Sequence, residues 1–182
     1  MKLLGKIIRK IDTLIYFYQS KCRVFFLRLK YPGIKLKNVT IEKNCTIIKE
    51  NEAFLDIKNS YITKGTTIHA CGNGKLSING AFIGNCNMIV AHKEIIIDEG
   101  CEIAEFCVIR DQDHDLKNIK KLVCSSIHIK KNVWFGNKVT ITRGVDIGNN
   151  SVVGANSVVT KSFDDNLLIA GIPAKKIKDL LL

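Results

Sequence analysis

Residues 133–161, VWFGNKVTITRGVDIGNNSVVGANSVVTK, place an aliphatic or aromatic residue at every sixth position: Phe135, Ile141, Ile147, Val153 and Val159. Two residues before each stands a second compact one, Val133, Val139, Val145, Ser151 and Ser157. A helix repeats its apolar face about every 3.6 residues and a strand every two, so neither explains a period of six. A chain winding as a triangular prism does, with one hexapeptide per side. The pattern continues backwards with interruptions through Ile109, Ile103, Ile97, Ile89, Ile83, Ile78, Ile68, Ile62, Ile57, Ile47 and Ile41, filling most of residues 36–161. A single rung cannot bury its inner face, so rungs must stack and the open ends need caps.

Charge is distributed unevenly along the chain. The formal net charge is +11, and residues 1–30 hold eight Lys or Arg against Asp12 alone, which leaves the repeat region only mildly basic. That region has no helix-turn-helix, zinc-finger or aromatic RNA-binding signature, so nucleic acid is set aside as a partner. Seven cysteines with no CxxC pair, often at inward repeat positions, read as buried free thiols in a reducing cytosol. No apolar stretch reaches the roughly 18 to 20 residues of a membrane span, and no signal-peptide pattern opens the chain, so a cytoplasmic location is expected.

Three segments follow: a basic amphipathic helical stretch over 1–33, the repeats over 34–163, and a tail over 164–182. Leu3, Ile7, Ile11, Leu14, Tyr18, Cys22, Phe25 and Leu29 recur three or four apart and form one helical stripe, away from which most of the basic residues fall. Two readings stand side by side. In one, a helix, whole or broken near its middle, caps the open end of the solenoid or packs between subunits. In the other, it lies on the anionic inner face of the cytoplasmic membrane.

The six-residue beat stops after Ile109 and resumes near Ile127, so 110–126 is an excursion from a rigid scaffold, the usual place for a site. Its one histidine, His114, lies among Asp111, Asp113 and Asp115. Acidic neighbours favour the imidazolium and can orient one ring nitrogen, which makes His114 a candidate general base; the bland alternative is a solvated polar loop.

These residues carry a resemblance. The tandem hexapeptides of 133–161, the tail NLLIAGIPAKKIK, and the FIGNCNMIV and IRDQDHD segments resemble the hexapeptide-repeat acyltransferases, most closely their sugar O-acetyltransferase branch. The fold class implied is an all-β solenoid, a left-handed parallel β-helix with an N-terminal helical segment. The resemblance further implies a homotrimer with sites between adjacent prisms, acetyl-CoA as acyl donor, and a sugar or glycan acceptor from a bacterial surface polysaccharide.

Carried over residue by residue, His114 matches the catalytic base. Asn137, Ala155, Thr160 and Lys161 match positions along the donor groove, and Lys175 and Lys178 match tail positions at its nucleotide end, with a solvated basic tail as the plain alternative. Trp134, one residue off the inward phase, faces outward toward the acceptor or a subunit interface, and Asp113 lies beside the same acceptor. The acceptor asparagine is ambiguous, since Asn85 and Asn87 flank the expected place and Cys86 occupies it. His92 stands on the rung before the loop, and Arg143 replaces a turn proline and is expected to alter only a corner. No metal is expected, because His69, His92, His114 and His128 are scattered and Ile119 sits where a further zinc ligand would be wanted. An amino-sugar N-acetyltransferase and a non-catalytic scaffold are the alternatives.

Overall fold

The computed structural model of the protein describes residues 2–50 and 52–180, and within the N-terminal helix the side chains from residue 14 onward. The period of six becomes a left-handed parallel β-helix of six full coils, each contributing one short strand to each of three faces. The first face stacks Lys35–Lys37, Phe54–Lys58, Lys75–Asn79, Glu94–Ile97, Ile127–Ile129 and Asp146–Ile147. The second stacks Thr40–Ile41, Tyr61–Ile62, Phe82–Ile83, Glu102–Ile103, Trp134–Phe135 and Val152–Val153, then continues into a tail hairpin, Leu167–Gly171 with Ala174–Asp179. The third stacks Thr46–Lys49, Thr67–Ala70, Met88–Ala91, Val108–Arg110, Thr140–Ile141 and Val158–Val159.

Register explains why isoleucine dominates. On the second face Ile41, Ile62, Ile83, Ile103, Phe135, Val153 and Ile169 are direct neighbours from coil to coil. On the third, Ile47, Ile68, Ile89, Ile109, Ile141 and Val159 form the corresponding column. All are buried, and each such side chain contributes about 1.5–3 kcal/mol by leaving water. The polar residues at the corners have a separate task. Asn38 and Asn59, and farther along Asn132, Asn150 and Asn166, all turn with positive φ, a conformation asparagine tolerates better than most residues. Their amides bond from coil to coil, Asn38 to Asn59 at 3.2 Å, and Asn132 to Asn150 and Asn150 to Asn166 at 3.0 Å each.

The N-terminal helix, α1 (Lys2–Lys30), runs unbroken. Its C-terminal half closes the open end of the solenoid. Ser20 is buried and its hydroxyl accepts from the Ile41 amide at 2.8 Å, while the Arg23 and Arg28 guanidinium groups donate to the carbonyls of Ile41 and Leu36. Val24 and Leu27 supply the apolar contact. The side chains of Leu3, Ile7 and Ile11 lie outside the described residues.

Cys71, Cys101 and Cys107 are buried, Cys45 and Cys124 partly so, and Cys22 and Cys86 exposed, all as free thiols. Burial pushes the Cys71 and Cys101 thiols up to about 11 from 9.0. A thiol-exchange reagent at pH 8 is therefore expected to titrate Cys22 and Cys86 rapidly and leave Cys71, Cys101 and Cys107 unreacted until the protein is denatured. The linkage has a definite sign. A raised folded-state value means the stability held by these neutral thiols is complete below pH 9 and is lost as pH climbs from 9 toward 11.

Candidate active site

The excursion at 110–126 folds as an antiparallel hairpin, Gln112–Asp115 against Asn118–Cys124, projecting from the corner between the third and first faces. Its base is fixed by Asp111. The buried Asp111 carboxylate accepts from three successive amides of the preceding coil, His92 at 2.8 Å and Lys93 and Glu94 at 2.7 Å, and its own carbonyl accepts from Ser125 at the return of the loop, 2.9 Å away. Both ends of the excursion are thereby tied to the solenoid at one residue.

His114 pairs with Leu122 across the hairpin, immediately before a register shift that turns the chain. Its Nδ1 lies 2.6 Å from the Ile119 carbonyl. A carbonyl only accepts, so the proton sits on Nδ1, and in the neutral ring Nε2 carries the free lone pair. This arrangement corrects the expected role of the acidic neighbours. Asp111 is spent on backbone amides, Asp115 accepts from the Lys117 amide at 2.8 Å, and Asp113 pairs with Arg143 at 3.2 Å. The orienting group is a main-chain carbonyl, which leaves no mark in residue types. Arg143 likewise does more than shape a corner, because its ion pair ties the following coil to the strand that carries His114.

Val108, Arg110, Thr140 and Thr142 of the third face, with Asp113 and His114 above them, line a cleft of about 180 Å³. The other expected site residues distribute around this face. Asn85, Asn137 and Ala155 stack in one column at its edge with the second face, where the Asn85 carbonyl accepts from Phe106 and the Asn137 carbonyl from Asn156. The close packing of this column depends on glycine, since a Cβ on Gly136 would fall 2.6 Å from the Ala155 nitrogen. The tail hairpin turns at the top of the same column, its Gly171 amide donating to Ser157 at 3.1 Å, and presents exposed Lys175 and Lys178. Thr160 and Lys161 sit at the opposite edge, the one carrying the His114 hairpin, with the Lys161 ammonium 5.6 Å from the centre of the Phe163 ring.

Two expected acceptor residues fare differently. Trp134 is exposed on the second face, between Glu102 and Val152, and within one chain shares neither strand nor sheet with His114. Asn87 is buried, its amide donating to the Gly84 carbonyl at 2.8 Å and its oxygen accepting from the Cys107 amide at 2.6 Å. Asn87 is thus an internal corner brace rather than an acceptor ligand. Away from this cleft, Glu50, His69 and Cys71 bring three ligand-type atoms within 4.8 Å of one another. The Gly72 amide and then His69 hold the Glu50 carboxyl below its ordinary value, and burial opposes ionisation of the Cys71 thiol.

A family model for the bacterial transferase hexapeptide, six repeats, matches residues 126–161. The galactoside O-acetyltransferase of Escherichia coli K12 is 32% identical over 151 residues, covering 77% of this chain and 70% of that protein. The chain belongs to the hexapeptide-repeat acetyltransferases. A second member, the putative lipopolysaccharide biosynthesis O-acetyl transferase WbbJ of the same strain, is 31% identical over 75% of this chain and 80% of its own length. Among solved structures, the N-acyltransferase AntD from Bacillus cereus in complex with dTDP and 3-hydroxybutyryl-CoA superposes with a TM-score of 0.72 over 85% of this chain and 87% of its own. At 24% identity that likeness shows the fold. The protein is an acyltransferase.

Proposed function

We propose that this hexapeptide acetyltransferase moves an acetyl group from acetyl-CoA to a hydroxyl of a sugar, within a precursor of a bacterial surface polysaccharide such as a capsule, O-antigen or exopolysaccharide. The observation that carries the proposal is the fixed tautomer of His114. With Nδ1–H given to the Ile119 carbonyl, Nε2 is ready to take the acceptor's proton as the oxygen attacks the thioester carbonyl. The tetrahedral oxyanion collapses with departure of the CoA thiolate, to which the imidazolium returns the proton. Transfer is direct. The cysteines are poor nucleophile candidates, because burial raises Cys71, Cys101 and Cys107 and lowers their thiolate fraction. Backbone amides at the rung edge supply the oxyanion donors.

In this reading acetyl-CoA runs along the third face. Asn137 and Ala155 line one edge, Thr160 and Lys161 the other, and Lys175 and Lys178 meet the nucleotide end. A cleft of about 180 Å³ falls short of the roughly 300–1,000 Å³ of small-molecule sites, which favours completion by a neighbouring subunit in a homotrimer. Trp134, outward on another face, is then available to the neighbour's acceptor, with Asn85 and Asp113 as further polar contacts. The sugar hydroxyl takes its support from the named activity of the galactoside enzyme, and the polysaccharide from that of the putative lipopolysaccharide enzyme.

Isothermal titration with acetyl-CoA tests the reading. We expect saturable binding at one site per chain. For Lys178→Ala we expect weaker binding with little change in maximal rate. Products from nucleotide-sugar and lipid-linked glycan acceptors should lose their acetyl group in mild alkali, as esters do; an alkali-stable product would assign N-acetylation of an amino sugar. Failure of the intact protein to bind acetyl-CoA would end the assignment and leave a scaffold.

A further inference from the structure

The capping helix is inside out. The residues that α1 turns toward the solenoid are Ser20, Val24 and Leu27, whereas the aromatic and aliphatic stripe faces away from it. Leu14, Ile15, Tyr18, Phe25, Phe26 and Leu29 are each at least half exposed along this one helix. Leu14, Ile15, Tyr18 and Cys22 line a shallow groove along the helix. Such a stripe on one continuous helix lowers its free energy only when something covers it.

Charge identifies the cover. Residues 14–30 contain Lys21, Arg23, Arg28 and Lys30 and no Asp or Glu. At about 100° per residue, Lys21 and Arg28 fall on one margin of the stripe and Arg23 and Lys30 on the other; since Arg23 and Arg28 also donate to carbonyls of the first coil, the exposed Lys21 and Lys30 are the charges each margin offers to a surface. A second copy of α1 laid against this face would bring like charges together with no acid in the segment to separate them. An anionic lipid surface meets both features, taking the apolar stripe at the level of the acyl boundary and the basic margins among the headgroups. Among the described residues no helix is long and apolar enough to cross a membrane, so α1 would lie on the bilayer rather than span it.

We propose that the outward face of α1 is a membrane-binding surface for anionic lipid, holding the solenoid at the bilayer with the N-terminal coil nearest to it. This goes beyond the acetyl-transfer reading. It would bring the site within reach of a lipid-linked acceptor, but the surface itself does not require the chemistry.

The test is flotation of the full-length protein with vesicles. On phosphatidylglycerol–phosphatidylethanolamine vesicles we expect partitioning at least about tenfold stronger than on phosphatidylcholine, weakening about tenfold between 0.1 and 0.5 M salt. The double variant Phe25→Ser, Phe26→Ser alters only exposed side chains and should lose vesicle binding while keeping its melting temperature and acetyl-CoA affinity. Lys21→Gln with Lys30→Gln should lose the preference for anionic lipid. His114→Ala should bind vesicles as the wild type does, which separates this proposal from the fate of the catalytic one. No partitioning by the intact chain would overturn it, as would equal binding to neutral vesicles. A fall in oligomeric state on the phenylalanine substitutions, measured by light scattering, would assign the face to another copy of the chain instead.

Discussion

Replacing His114 by alanine is expected to lower turnover roughly 100- to 10,000-fold while leaving the acetyl-CoA dissociation constant nearly unchanged, the pattern of a lost general base. The reason is geometric. His114 reaches the cleft from the tip of a hairpin outside the core, so removing its ring exposes no cavity and breaks one surface hydrogen bond, to Ile119. Stability should accordingly stay within about 0.5 kcal/mol of wild type, the usual range for surface positions. Parallel measurement of kcat, donor affinity and thermal unfolding checks all three statements. Turnover within about threefold of wild type, against the 100-fold minimum expected for a general base, would remove His114 from the mechanism.

Asp111→Ala is expected to have the opposite signature, a large loss of stability with activity lost as a consequence. Three backbone amides converge on one buried carboxylate at 2.7–2.8 Å, and alanine leaves all three without an acceptor. Each unsatisfied buried donor costs about 1–3 kcal/mol, and because the three share one partner the total should be nearer 3–5 kcal/mol than their sum. For a chain of this size that lowers the melting temperature by roughly 10 °C. Asp111→Asn keeps an acceptor oxygen and should recover part of the difference. Calorimetry or urea unfolding measures the effect. A change under about 1 kcal/mol, the cost of a single ordinary hydrogen bond, would show that solvent replaces the carboxylate and that Asp111 does not anchor the loop.

Comparison of these two residues shows what a sequence discloses. His114 stands out because histidine is chemically conspicuous and interrupts a strict period. Asp111, three positions earlier, looked like one of three equivalent acids around it. Only the coil-to-coil register brings the amides of His92, Lys93 and Glu94 against Asp111, across 17 to 19 residues of chain. Asn87 misled for the same reason. It flanks the place that the resemblance assigns to the acceptor asparagine, but the inward phase of its corner position and the nearby Gly84 and Cys107 backbone groups absorb its amide. Arg143 read as a substituted turn residue until the next coil placed it beside Asp113.

The sequence by itself determined the architecture, because a six-residue period of inward aliphatic residues has one economical solution and every coil restates it. It also determined where the regular structure breaks and which imidazole stands at the break. The tertiary structure decided what surrounds that side chain: the carbonyl that fixes its tautomer, the carboxylate that anchors its loop, and the distribution of the remaining candidates along two edges of one face. It also decided which way the N-terminal stripe points. Periodicity assigns residues to a common face of a helix but contains no information about which face meets the body. Here the bonds of Ser20, Arg23 and Arg28 to the first coil turn the helix so that its apolar side looks outward. Repetition is local and survives in one dimension, whereas hydrogen-bond partners and facing directions arise only when distant coils are stacked.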